Sequence, residues 1–358
     1  MTDEPETSTG PSLRFEGLVR QAWNERKDGP SIEWIRDISA SVSTNRVFMV
    51  GLSDGHELVA KTTCYGSYVH FRQDHRIVMQ WRRRMAATRY RDFLAPVLSD
   101  EEGDAFTRKL GGVWITFYQK APFYDFLPPV LSNDQVACLG SEMAHFHQAS
   151  RRAAPQLLSS WKSMGSDVAT LFDLVDSASF CEERNFPKNA GPILQAQCDQ
   201  FLTNAEKLGY QSFKKIPVLV DWNIGNFSVG LLEDGFRFYS RWDYDWLRVE
   251  PRTLDFYFCA RVVRAEGDQD TFSYNVAPFF DERFVQFLRA YHHVAPLEDE
   301  EVLFLKEAYR FFLLNYVIRI GEHFFRRSIC RRLQQEAFDN YFPTLQSTSF
   351  APLLKAIG

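Results

Sequence analysis

The sequence predicts an α+β fold of two lobes, a small antiparallel sheet lobe followed by a larger helical lobe. Three observations carry this. Short strand-like runs separated by turn residues crowd the chain up to Gln119, and capped, apolar-periodic runs fill most of the remainder. At 358 residues the chain also exceeds the size at which one core keeps growing.

Met1 to Leu13 carry Glu, Asp, Thr, Pro and Gly without an apolar stretch or a basic flank, so residues 1–13 are expected to be a disordered tail and not a targeting segment. The sheet lobe is then residues 14–120 and the helical lobe 121–358. Trp34 to Ala40 and Asn45 to Leu52 read as strands, Ser53-Asp54-Gly55-His56 as a turn, and Glu57 to Cys64 as a third strand carrying Lys61. The turn between the first two strands lacks glycine but holds Ser41, Ser43 and Thr44. Their hydroxyls and neighbouring N–H groups can cradle a phosphate or simply make a polar hairpin turn. A helix containing Asp74 begins near Val69. Strands at Leu94 to Leu98 and Val113 to Gln119 flank the turn Glu101-Glu102-Gly103-Asp104, and the second runs into Lys120-Ala121-Pro122.

After Pro128-Pro129 the pattern becomes helical. Ser132-Asn133-Asp134-Gln135 is a capping box that opens a helix to about His147, and further helices are expected near Asp167 to Glu183 and Ile193 to Leu208. The period then switches to that of strands at Ile216 to Val220 and Asn226 to Leu232. A turn at Glu233-Asp234-Gly235 leads to a strand from Phe236 to Trp242. Helices at Arg252 to Val263, Glu282 to His292, Asp299 to Arg327 and Arg332 to Tyr341 complete the chain. The longest apolar stretch, Val302 to Ile320, is interrupted by Lys306, Glu307, Arg310 and Arg319, which suits a buried helix and not a membrane span.

The two hairpin segments gather Asp221, Asn226 and Asp243 at one rim. Asp and Asn between apolar strands are common turn formers, but an Asp with an Asn five residues on and a second Asp at a strand end also matches the needs of phosphoryl transfer. Clustered carboxylates repel one another unless a cation joins them. Mg²⁺, which takes one or two carboxylates plus phosphate oxygens, is the natural occupant.

On these residues the chain resembles the aminoglycoside phosphotransferase and choline kinase-like superfamily, whose members share the bilobal protein-kinase-like fold and phosphorylate small-molecule hydroxyls. That family carries His-Gly-Asp-x4-Asn, then an Asp in an Ile-Asp-Trp-like context, then an Asp-Pro-x-x-Asp-Leu-like stretch. Asp221, Asn226, Asp243 and Glu250-Pro251-Arg252-Thr253-Leu254-Asp255-Phe256 fall on those places. The resemblance implies that Asp221 is the catalytic base, that Asn226 and Asp243 hold Mg²⁺, and that Asp255 braces the catalytic loop. It further implies that Lys61 anchors nucleotide phosphates with Asp74 as its partner, and that backbone groups from Tyr118 to Lys120 meet a purine ring. The nucleotide is then ATP or GTP, a choice the sequence does not make, in a cleft between the lobes. The acceptor is a small hydroxylated metabolite or antibiotic. Asp245 stands beside the second metal ligand, and Trp222 and Trp246 are either walls of the acceptor site or core residues. Glu250, Asp281 and Glu282 either meet a cationic acceptor or face water. Leu219 and Val220 replace the family's His and Gly, and Arg241 occupies a strand position that is usually apolar. Loss of the bracing His leaves a degenerate nucleotide-binding or scaffold protein as the alternative.

Composition excludes other classes. A net charge of −5 and the absence of a large basic block argue against nucleic acid, and Arg82-Arg83-Arg84 reads as a solvated helix face. Six Cys without paired spacing read as free thiols in a reducing cytoplasm. His145 and His147 cannot share a helix face at their spacing and read as packing or surface residues. The 32 Phe argue for an aromatic-rich helical core.

Overall fold

The computed structural model describes residues 10–26, 29–233, 235–268 and 273–357. The chain forms two compact units. One comprises the chain through Met79 with Ala95–Ala121 and His323–Arg326; the other holds Gln80–Leu94, Pro122–Glu322 and the chain from Arg327 onward. Two segments therefore depart from a single division at residue 120.

The first unit is built on a five-stranded antiparallel sheet of β1 (Ile32–Asp37), β2 (Arg46–Leu52), β3 (Glu57–Thr63), β4 (Thr107–Leu110) and β5 (Val113–Gln119), in the order β1-β2-β3-β5-β4. Trp34 pairs with Gly51 across β1 and β2, and a Cβ on Gly51 would stand 2.1 Å from the indole, so only glycine admits the ring there. Helix α1 (Gly10–Asn24) was not foreseen. Its residues 10–13 fall in the expected tail; the rest of that tail, 1–9, lies outside the described residues. Phe15, Leu18, Val19, Ala22 and Trp23 recur at helical spacing and pack on Phe48, Val50, Phe106 and Phe117 of the sheet.

The expected strand at Leu94 to Leu98 does not form. Pro96 has no N–H to donate, so only single bridges form, at Leu94 with Arg241 and at Val97 with Tyr118, and Thr107–Leu110 supplies the edge strand instead. Helix α2 (Tyr68–Met85) follows β3, and Arg72 and Arg76 on one of its faces both grip Asp104 in the turn before β4. That pairing holds the Asp104 carboxyl well below the usual carboxylate range. Asp74 lies on a different face of α2 and is half-buried.

In the second unit α3 (Asn133–Ala153) starts at the expected capping box, with Gln135 N donating to Ser132 Oγ at 3.2 Å and Ser132 N to Gln135 Oε1 at 2.9 Å. Helices α4 (Met164–Asp176) and α5 (Ala178–Glu183) break at Ser177, where one helix was expected, and α6 is Ala190–Lys207. Two antiparallel pairs follow: β6 (Lys215–Val218) with β9 (Arg248–Pro251), and β7 (Phe227–Leu232) with β8 (Gly235–Arg241). Asp234 of the expected turn lies outside the described residues. A 3-10 turn at Arg252–Asp255 leads into α7 (Phe256–Val262), then α8 (Glu282–Val294) and α9 (Asp299–Phe312). The long helix expected to reach Arg327 turns π-helical at Leu313–Arg319 and stops before Gly321. Helices α10 (Arg327–Glu336), α11 (Phe342–Ser347) and α12 (Ala351–Ile357) end the chain. Helices α3 and α8 pack closely because Gly140 has no side chain; a Cβ there would meet Phe287 O at 2.4 Å. Among the described residues no helix is long and apolar enough to cross a membrane.

Candidate active site

Strand β6 ends at Val218, and the chain then makes a sharp turn through Leu219 and Val220 into Asp221. Val220 takes a φ of +63°, a left-handed conformation that a β-branched residue adopts at a cost of about 1–3 kcal/mol. Glycine, which the resemblance leads one to expect here, would adopt this conformation without that cost. Here the strain is held by tertiary contacts. Val220 N–H donates to Asp255 Oδ1 at 2.6 Å, Asp255 Oδ2 lies 2.9 Å from His147 Nε2, and His147 Nδ1 lies 2.7 Å from the Tyr291 hydroxyl. Val220, Asp255, His147 and Tyr291 are all buried. Asp255 thus sits as the loop brace the resemblance implied. His147, expected to be a packing or surface residue, is instead a buried member of this network. Its partner Asp255 is 108 positions away, so no local pattern announces the contact.

The Asp221 carboxylate is anchored through Oδ1, which accepts from Asn223 N at 3.2 Å and from Asn223 Nδ2 at 2.6 Å, and the Asn226 amide also stabilises its charged form. Burial, then the neighbouring Asp243 carboxylate, pushes the Asp221 pKa up to about 6, against the pull of Arg241. Asn226 lies at the head of β7, its Nδ2 3.5 Å from Asp221 O, and its own carbonyl accepts from Trp242 N at 3.3 Å. Asp243 stands just past the end of β8 and accepts Asp245 N on Oδ1 at 3.1 Å. The structure therefore brings Asp221, Asn226 and Asp243 together at one end of the β7–β8 hairpin.

Arg241 enters the same cluster. Its guanidinium is fully buried, donating from Nη2 to Asp221 O at 2.7 Å and from Nε to Asp243 O at 3.1 Å, and it lies 5.1 Å over the Trp222 ring. Burial lowers its pKa, and the Asp221 and Asp243 carboxylates oppose that. Sequence reading flagged Arg241 as a departure but gave it no task.

Trp222 and Trp246 do not wall an open site. Trp222 is 1% exposed, stacked on Phe93 and Phe238 and met edge-on by Phe146; Trp246 is buried against Tyr316 and Phe258. Glu250 is also fully buried, accepting from Met164 N at 2.7 Å and from the Tyr210 hydroxyl at 2.8 Å, so it meets no acceptor. Asp281 caps α8 by accepting from Arg283 N. A cavity of about 630 Å³ borders the far side of His147, between Arg151, Lys207, Lys214 and Glu300; none of Asp221, Asn226 or Asp243 lines it.

In the first unit, Lys61 is buried at the middle of β3, in register with Val47 and Thr116. Burial of an ammonium group requires compensating polar partners. The loop containing Ser41, Ser43 and Thr44 is closed by the returning segment His323–Arg326. Thr44 N donates to Phe324 O at 3.4 Å, Thr44 Oγ1 to His323 O, and Arg326 N to Val42 O at 3.0 Å. Ser43 N bonds Ala40 O at 3.2 Å and its hydroxyl accepts Asn45 N at 3.1 Å. Thr44 is thus committed to this strap, whereas Ser41 is exposed and has no partner among the described residues. Tyr118 is buried in β5, Gln119 donates its N–H to Pro96 O at 2.9 Å, and Lys120 is exposed and ion-paired with Glu57.

Among the described residues no group of three or more His, Cys, Asp or Glu is placed to cage a metal. A donor set of one carboxylate and one side-chain amide fits Mg²⁺, which keeps water and phosphate oxygens in its shell, better than a metal needing an all-protein site.

The sequence matches no protein-family model and no curated protein. Solved structures do match. An amicoumacin kinase in complex with AMP-PNP, Ca²⁺ and Ami aligns over 96% of this chain and 98% of its own, with a TM-score of 0.61 at 14% identity. A microcompartment-associated aminopropanol kinase aligns over 96% and 98%, with a TM-score of 0.60 at 14% identity. A spectinomycin phosphotransferase in complex with ADP and spectinomycin aligns over 92% and 97%, with a TM-score of 0.53 at 14% identity. The chain has the protein-kinase-like fold of these kinases and phosphotransferases.

Proposed function

We propose that the protein transfers the γ-phosphoryl group of a nucleoside triphosphate to a hydroxyl of a small molecule. The reading is carried by one observation: the Asp221 carboxylate, held through Oδ1 by Asn223, stands beside Asn226 and Asp243 on a braced hairpin. The Asp221 carboxylate orients the acceptor hydroxyl and takes its proton, and a pKa raised to about 6 suits a group that must accept and then release one. Asn226 and Asp243 hold Mg²⁺, which when bound neutralises charge on the phosphate oxygens. Lys61, with Asp74, positions the phosphates, and Ser41 is the member of the Ser41, Ser43, Thr44 loop left to meet them. Backbone at the end of β5, beyond Tyr118 and toward Lys120, meets the purine ring of ATP or GTP. Because such catalysis is mostly placement and charge neutralisation, the bracing of this loop matters as much as the acid-base residue.

The structural neighbours named above act on amicoumacin, aminopropanol and spectinomycin, which makes hydroxylated amines and antibiotics the first acceptors to screen. Calorimetric titration of ATP, then GTP, with and without Mg²⁺, tests the nucleotide step. Binding that needs Mg²⁺ and fades in Asp243→Ala is expected, with turnover on one acceptor of the screen. Failure of both nucleotides to bind favours the second reading, a degenerate scaffold, which Leu219 and the Ser43–Thr44 loop bonded to 323–326 would then support.

A further inference from the structure

The base and metal-ligand candidates lie on separate loops, and a single side chain bonds to both. We propose that Arg241 is a positioning residue that locks the Asp221 loop to the Asp243 loop at a fixed spacing. Its catalytic consequence rests on the phosphotransferase reading; the lock itself does not.

The geometry carries the case. Arg241 sends Nη2 to the carbonyl of Asp221 at 2.7 Å and Nε to the carbonyl of Asp243 at 3.1 Å, so two backbone points that are distant in sequence share one rigid planar group. The clamp is itself fixed. Arg241 N donates to Phe93 O at 2.6 Å, its residue pairs with Phe227 across β7 and β8, and the Trp222 ring covers the guanidinium at 5.1 Å. A fully buried guanidinium is costly, and here the carboxylates of Asp221, Asp243 and Asp255 supply the opposing charge. The same side chain therefore lies in the field of three acids and hydrogen-bonds the backbone carbonyls of two of them. Leu219 and Val220, on the approach to Asp221, have no side-chain polar atoms to do this. Lysine cannot replace the fork, because an ammonium is a compact point donor without the planar spread that reaches both carbonyls.

The test is amide hydrogen exchange on the full chain, comparing Arg241→Met and Arg241→Lys with wild type, alongside turnover on an acceptor from the screen. In Arg241→Met, amides of residues 218–227 and of residues 242–248 are both expected to lose about tenfold protection, the equivalent of one hydrogen bond, while α3 keeps its own. Arg241→Lys is expected to loosen the same two segments to a smaller degree, and it decides alone if the Met variant does not fold. Turnover is expected to fall on the order of 100-fold, with a smaller rise in the nucleotide KM because the Asp243 segment loosens as well. Wild-type protection of either segment in the folded variants overturns the proposal, as does loosening that spreads equally to α3. Asp221→Asn is run in parallel. Retained turnover there refutes Asp221 as the base, whereas the exchange result still decides whether Arg241 couples the two loops.

Discussion

Replacing Asp255 by Ala should destabilise the second unit far more than replacing it by Asn. Asp255 is fully buried and accepts two hydrogen bonds, from Val220 N at 2.6 Å and from His147 Nε2 at 2.9 Å. Hydrogen bonds to charged groups are worth about 1.5–3 kcal/mol each. Removing the carboxylate also leaves the Val220 N–H and the His147 Nε2 buried without that partner. The expected loss in Asp255→Ala is therefore about 3–5 kcal/mol. Asparagine can still accept from Val220 N through its carbonyl and donate to His147 through its amide, with the imidazole in its other tautomer donating to the Tyr291 hydroxyl. Its loss should be about 1 kcal/mol. Urea unfolding followed by tryptophan fluorescence reads the difference, since Trp222 follows Asp221 in the braced loop and is buried in the aromatic core. An Ala variant within about 0.5 kcal/mol of wild type, the usual scatter of neutral substitutions, refutes the reasoning. So does an Asn variant as unstable as Ala, because the brace would then depend on charge and not on hydrogen-bond geometry.

Four further outcomes are expected. Turnover under limiting Mg²⁺ should fall on acidification through about pH 6 as Asp221 is protonated, and Asp243→Asn should move that limb to lower pH by removing the like charge; a limb that stays in place contradicts the pairing. Because the folded pKa of Asp221 lies above its unfolded value, the stability penalty appears as pH rises from about 4 to about 6. Asp221→Asn should therefore be more stable than wild type at pH 7, on the order of 3 kcal/mol, with the two converging below pH 4 in denaturant titrations. Gly140→Ala should cost about 1–3 kcal/mol by pushing α3 off α8, measured as a lowered urea midpoint. Val220→Gly should be at least as stable as Val220→Ala, since both lose the buried side chain but only glycine relieves the left-handed strain; the reverse order would refute strain at this position.

Local pattern was enough to place the capped start of α3, the strands on either side of Lys61, and the hairpin that joins Asn226 to Asp243. Each rests on neighbours within a few residues: a Ser and Gln three apart, a period of two, a turn before Gly235. The same kind of signal failed where a local feature had two readings. Pro96 sat inside an apolar run that looked like a strand, and the N-terminal helix was hidden by the polar residues that precede it. The identity of Asp221, Asn226 and Asp243 as one group was legible because the hairpin returns the chain to its starting rim.

What holds that group in place was decided by the tertiary structure. The partners of His147, Asp255 and Arg241 lie on other elements, and the sequence offers no spacing that pairs a helix residue at 147 with an acid at 255 or a strand arginine with the carbonyl of residue 221. Sequence alone determined which chemical groups are present and that they return to one rim, because those facts depend on residue type and short-range periodicity. Packing alone decided that Trp222, Trp246 and Glu250 are buried, that Thr44 is tied to His323 and Phe324, and that a buried arginine joins the two loops. Burial and long-range hydrogen bonds are properties of the closed chain, and they exist only once distant segments have displaced water from one another.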